Sequence, residues 1–126
     1  MCTAIDISID ILEEKEPEAK MSFLSLFFGK GITREVEDLK KLPGAVLLDV
    51  RTEDEYRTGH IPGGINIPVE RMADIEKNVD DRDTPVFIYC LRGTRSRRAA
   101  GILRNLGYTN VRSIGGIASY KGELEK

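Results

Sequence analysis

The stretch VFIYCLRGTRSRRAAGIL, residues 86–103, decides how the chain is read. Val86, Phe87, Ile88 and Tyr89 run into Cys90 without a polar break, the pattern of a strand covered on both faces. From Ser96 the pattern changes: Ala99, Ala100, Ile102, Leu103 and Leu106 recur at helical spacing, and Gly107 ends the run. A buried strand, a tight loop and an amphipathic helix form part of a parallel β–α–β unit. In sheets of that kind ligands gather at the carboxyl ends of the strands, and Cys90 stands at one.

The rest of the chain repeats the alternation. AVLLDV (45–50) is a second continuous apolar run, stopped upstream by Pro43 and Gly44. Before it, ITREVEDLKKL predicts a short helix capped by Thr33, with Glu35 and Glu37 at the end that favours acids. After it, Thr52 and Glu55 stand at the spacing of a capping box, and Gly59 closes a second short helix. HIPGGINIP is turn chemistry around a brief strand at 65–67, followed by a helix predicted over 69–78. NVRSI supplies a last strand, and GGIASYKGELEK leaves by a Gly-Gly turn into a short helix. The expected fold is α/β, an open parallel β-sheet of about five strands with helices on both faces.

With 126 residues the chain suits one domain with a single site. Residues 1–20 hold six acids against two lysines and read as an acidic, flexible leader with weak strand potential at Ile5, Ile7, Ile9 and Ile11; the domain proper is expected over 21–126. The apolar patch at 23–28 falls at helical spacing and is expected to pack on the domain. No apolar run approaches the roughly 20 residues of a membrane span, and the acidic start does not resemble a secretory signal. A cytoplasmic protein follows as the expectation. Cys2 and Cys90 are too few and too far apart for a disulfide framework, and neither has zinc-ligand spacing, so no metal and no cofactor is expected. Between residues 90 and 112 there are six arginines and no acid, with fewer aromatic residues nearby than a nucleic-acid surface would want. A small anion is the expected ligand.

The loop at 91–95 bears on that anion. Gly93 permits a conformation costly for other residues, and Ser96 is placed to cap the helix, so successive N–H groups and the helix amino terminus can converge on Cys90. Such a cradle lowers a thiol pKa from about 8.5 into the range of roughly 3.5 to 7.5. A thiolate made that way needs no histidine base, which matters because His60 is the only histidine and lies in a turn. As packing alone a cysteine at the end of an apolar strand is a small buried hydrophobe; Arg92 and Arg95 around a glycine turn are harder to explain as packing and suit an oxyanion.

Three segments, LLDVRTEDEYRTGHIPGGINIP, VFIYCLRGTRS and NVRSIGGIASY, resemble the single-domain rhodanese family of sulfurtransferases, in the family's order and over about residues 31–122. The resemblance implies that Asp49 and Arg51 brace a sheet edge and that Gly59, His60, Ile61 and Pro62 form a positioning turn, His60 being architectural. It implies that Cys90 to Arg95 is a six-residue active loop whose cysteine becomes a persulfide. Cys90 is then the catalytic residue, with Leu91, Arg92, Gly93, Thr94, Arg95 and Ser96 binding substrate. The expected partners are a small sulfur donor such as thiosulfate and a thiol, cyanide or protein sulfur acceptor. Leu91 departs from the basic residues of thiosulfate-preferring loops.

Two other readings stay open. A cysteine phosphatase or arsenate reductase uses a similar cradle, but phosphatases place five residues between cysteine and arginine, where this chain has Ser96. A sulfur-carrying, partner-binding module needs no turnover, since fold does not fix function; inactive modules of this kind typically lack the cysteine. Cys2 is a further thiol able in principle to resolve a persulfide.

Overall fold

The computed structural model describes residues 31–126. The leader with its candidate strand, Cys2 and the patch at 23–28 lie outside them. In chain order the elements are helix α1 (Ile32–Leu39), strand β1 (Val46–Asp49), helix α2 (Glu53–Thr58), strand β2 (Ile65–Asn66), a 3-10 segment (Val69–Lys77), strand β3 (Val86–Cys90), helix α3 (Thr94–Asn105), strand β4 (Val111–Gly116) and a final 3-10 turn (Ile117–Ser119).

The strands form one parallel sheet in the order β2-β1-β3-β4. Among the described residues there are four strands, not the roughly five expected. Helices cover both faces. Alternate residues of a strand point to opposite faces, and β3 divides accordingly. Val86, Ile88 and Cys90 join Leu48 and Val50 under Ala99, Ala100 and Leu103 of α3 and Val69, Met72 and Ile75 of the 3-10 segment. Phe87 and Tyr89 join Leu47 under Ile32 and Val36 of α1, with Ile61, Ile114 and Ile117. The thiol is thereby directed to the face that α3 covers.

Three local expectations need correction. Gly31, not Thr33, takes the cap position of α1; the Thr33 hydroxyl instead accepts the backbone N–H of Lys121 at 3.0 Å. The segment after β2 is a 3-10 helix kinked at Arg71 rather than an α-helix. Its three buried residues, Val69, Met72 and Ile75, repeat every third position, which aligns them along a 3-10 helix and not along an α-helix. Finally, α3 begins at Thr94 with Gly93 as its cap residue, two positions before Ser96. Ser96 therefore sits inside the first turn, where its hydroxyl donates to the Gly93 carbonyl at 2.9 Å.

The end of the sheet carries a bulge. Ile88 pairs with Ser113 but Tyr89 pairs with Gly115, leaving Ile114 as an extra residue on β4. Ile114 turns into the core on the α1 face, and the two glycines carry the strand on until Gly116 lies opposite Cys90, instead of forming the expected turn. The chain's last residues return to the His60 turn, where His60 and Glu125 exchange two backbone hydrogen bonds of 2.8 Å. Among the described residues no helix is long and apolar enough to cross a membrane.

Candidate active site at Cys90

Cys90 ends β3 and is 1% exposed. The chain then reverses over Leu91, Arg92 and Gly93, and Gly93 has φ 104°, a left-handed value that favours glycine. In that conformation the Gly93 N–H donates to Cys90 Sγ at 2.9 Å. Burial pushes the thiol up, yet the backbone N–H groups of Ser96, Gly93 and Arg92, with the Ser96 hydroxyl, outweigh it and bring Cys90 below its ordinary range. The charge is held by amides aimed at the sulfur, at the start of a helix whose dipole has the same sense.

The neighbouring strand leaves room for this loop only because residue 116 is glycine. A methyl group there would stand 2.5 Å from Arg92 Cα and from the Leu91 carbonyl carbon, and closer still to the Leu91 oxygen. Those are backbone atoms that no rotamer change can move. The Ala118 N–H donates to the same Leu91 carbonyl at 3.1 Å, tying the loop to the turn beyond β4.

The two loop arginines differ. Arg92 is exposed, with no carboxylate partner among the described residues. Arg95 is not free: its guanidinium makes a two-pronged contact with Glu55 of α2, at 2.7 and 3.1 Å. Glu55 also accepts the backbone N–H of Thr52 at 3.0 Å and completes the capping box. The Arg95 hydrogen bond, set against partial burial and helped by Thr52 and the Arg95 charge, brings the Glu55 carboxyl down to about 2. Sequence reasoning found Glu55 as a cap and missed it as the anchor of the loop. The spacing of a capping box carries no sign of a partner 40 residues away.

Asp49 and Arg51 form a buried pair beside the sheet. The Arg51 Nη2 atom lies 2.6 Å from Asp49 Oδ2 and donates to the Gly59 carbonyl at 2.8 Å. His60 stacks on the Tyr56 ring, with centroids 3.7 Å apart, and its Nδ1 lies 3.1 Å from the Tyr56 carbonyl. The Tyr89 hydroxyl receives the Ile61 N–H at 3.1 Å. These contacts hold the 59–64 turn against the sheet. The residues brought together around the sulfur are Arg92, Gly93 and Ser96, with Arg95 behind them. Among the described residues no group of three or more His, Cys, Asp and Glu side chains is placed to hold a metal ion.

Comparison with known proteins accords with this arrangement. Residues 33–123 match the family model of the rhodanese-like domain. The uncharacterized protein YqhL of Bacillus subtilis is 39% identical over 82 residues, which are 64% of this chain and 64% of that protein, so the chain spans just under two thirds of it. The thiosulfate sulfurtransferase GlpE of Pseudomonas entomophila is 36% identical over 87 residues, 69% of this chain and 79% of the relative. Among solved structures, a rhodanese with anions from Escherichia coli superimposes with a TM-score of 0.62 at 34% identity, covering 65% of this chain and 98% of that one.

Proposed function

The chain belongs to the rhodanese-like domain family, and from that premise we propose that it is a sulfurtransferase that carries sulfur on Cys90. The observation that supports this most is the Gly93 N–H at 2.9 Å from Sγ, in a loop whose amides lower the thiol. The thiolate attacks the outer sulfur of a donor such as thiosulfate. The sulfur–sulfur bond of the donor breaks, sulfite leaves with the electron pair, and a Cys90 persulfide anion remains. A thiophile, either cyanide or a thiol of a small molecule or protein, then attacks the outer sulfur, and Cys90 recovers its thiolate. The cycle has two half-reactions with a covalent intermediate, so its kinetics are ping-pong.

The loop's amides hold the anion in both states, as an oxyanion hole holds developing charge. Arg92, exposed and without a carboxylate partner among the described residues, receives the donor's charged end. Arg95, paired to Glu55, serves by fixing the loop rather than by meeting substrate. The chemistry asks for no metal or organic cofactor, and we place it in the cytoplasm, where a thiol stays reduced.

Incubation of the purified protein with thiosulfate, followed by intact-mass analysis, tests the proposal. The wild-type chain is expected to gain one sulfur atom that cyanide removes as thiocyanate, and Cys90→Ser is expected to gain none. Hydrolysis of a generic phosphate ester in place of sulfur uptake favours the phosphatase reading. Stable sulfur loading without release to any thiophile favours the carrier module.

A further inference from the structure

The hydroxyl of Ser113, on β4, lies 2.7 Å from the hydroxyl of Ser96. Ser96 is fully buried, and its Oγ donates to the Gly93 carbonyl at 2.9 Å. The same hydroxyl is one of the groups that hold negative charge on Cys90. A serine hydroxyl has a single hydrogen. Whether Ser96 gives it to the carbonyl oxygen or to the sulfur, it has none left for Ser113. The hydrogen in the Ser96–Ser113 contact must therefore come from Ser113.

The strand register explains how Ser113 reaches this place. Ser113 pairs with Ile88, two residues before Cys90 and on the same face of β3. Neighbouring residues of paired strands share a face, so Ser113 faces the first turn of α3. Ile114, the next residue, points to the other face by ordinary strand alternation, and the bulge begins only after the Ile88–Ser113 pair.

We propose that Ser113 is a positioning residue for the reacting sulfur: it donates to Ser96 Oγ and so keeps Ser96 a donor, to the Gly93 carbonyl when the sulfur is neutral and to the sulfur when it is charged. This rests on Cys90 being the nucleophile. A hydroxyl that accepts a hydrogen bond is a stronger donor, and the strengthening is about 10–30% per bond. Ser113 therefore acts on the thiolate without touching it.

Charged groups around Cys90 do not confound the effect. Arg92 stands beside it in the loop with its side chain exposed, and Arg95 faces it from α3 and is paired to Glu55 of α2. Asp49 of β1 is paired to Arg51. On β4 itself, Arg112 is turned to Glu35 at 3.6 Å. Replacing Ser113 with an uncharged residue leaves all of these in place.

The test compares Ser113→Val with Ser113→Thr in the 126-residue chain carrying Cys2→Ser, so that Cys90 is its sole thiol. The two side chains share one shape, both suit a strand, and only threonine keeps the hydroxyl. The rate of iodoacetamide alkylation is followed against pH. The valine variant is expected to move the midpoint up by about 0.3–0.5 pH unit, a two- to threefold slower reaction on the acid side, and threonine to restore the parent curve. In a Ser96→Ala background the valine change is expected to add nothing. Equal curves for valine and threonine, or a valine shift that persists undiminished without Ser96, overturn the proposal. A parent that titrates as an ordinary free thiol removes the reading of Cys90 and the proposal with it. A depressed parent midpoint with no valine effect removes the proposal alone.

Discussion

Replacing Gly116 with alanine perturbs the site without changing any group that touches substrate. The new methyl carbon lies 2.5 Å from Arg92 Cα, whereas ordinary contact begins at 3.4 Å, so the loop must retreat by about 1 Å. The Gly93 N–H now reaches Sγ at 2.9 Å; a retreat of that size lengthens the contact to about 3.9 Å, where little of the bond to sulfur remains. The Arg92 N–H moves with it. A hydrogen bond to a charged group contributes about 1.5–3 kcal/mol. Loss of two such donors raises the thiol by about 2 pH units or more, since each unit is 1.36 kcal/mol. Cys90 alkylation, measured in the Cys2→Ser chain below both midpoints, is then expected to slow by about a hundredfold. Overpacking costs a further ~1–3 kcal/mol of stability, read from urea denaturation. Gly101→Ala is the control: nothing lies within 4 Å of the added carbon, so this helix substitution is expected to stabilise by about 0.5–1 kcal/mol with no change in the thiol. A folded Gly116→Ala protein whose thiol titrates within half a unit of the parent refutes the reasoning.

Other substitutions separate the roles of the surrounding residues. Arg92→Ala is expected to raise the KM for thiosulfate about tenfold and to leave the thiol midpoint and the melting temperature nearly unchanged, because its guanidinium is exposed and, in the proposed cycle, serves only to receive the donor. Glu55→Gln loosens the Arg95 anchor. Because Glu55 titrates near 2 in the folded chain instead of at its usual 4.5, the stability advantage of wild type over this variant is present above about pH 4.5 and fades as pH falls toward 2. Acid unfolding of both proteins checks it. Arg51→Met strands the buried Asp49 carboxylate and is expected to cost about 3–5 kcal/mol in chemical denaturation, with kcat following only the folded fraction.

How far the sequence could be read depended on the range of the interactions involved. The strands at 46–49 and 86–90 and the cysteine at a strand end were legible because continuous apolar runs and their terminators are local signals. The Thr52–Glu55 capping box was legible for the same reason. The 3-10 character of Val69–Lys77 was present in the spacing of Val69, Met72 and Ile75, but a period of three over so short a span is easily taken for a helix of period 3.6. The loop geometry was partly legible: Gly93 announced a positive φ, whereas the start of α3 at Thr94 did not follow from Ser96, a residue with good capping chemistry used here for a different bond. Three features were out of reach. Glu55 meets Arg95, Ser113 meets Ser96 and Gly116 makes way for Leu91 and Arg92 only after the strands are in register. Nothing in local propensity marks such pairs.

The most direct measurement is a titration of Cys90 itself, followed by thiolate ultraviolet absorbance in the Cys2→Ser chain with the Cys2→Ser, Cys90→Ser chain as blank. The amide cradle predicts a midpoint clearly below the ordinary free-thiol value of about 8.5. A midpoint at or above that value means that burial outweighs the N–H groups, and a thiolate-based sulfur transfer at Cys90 is then contradicted.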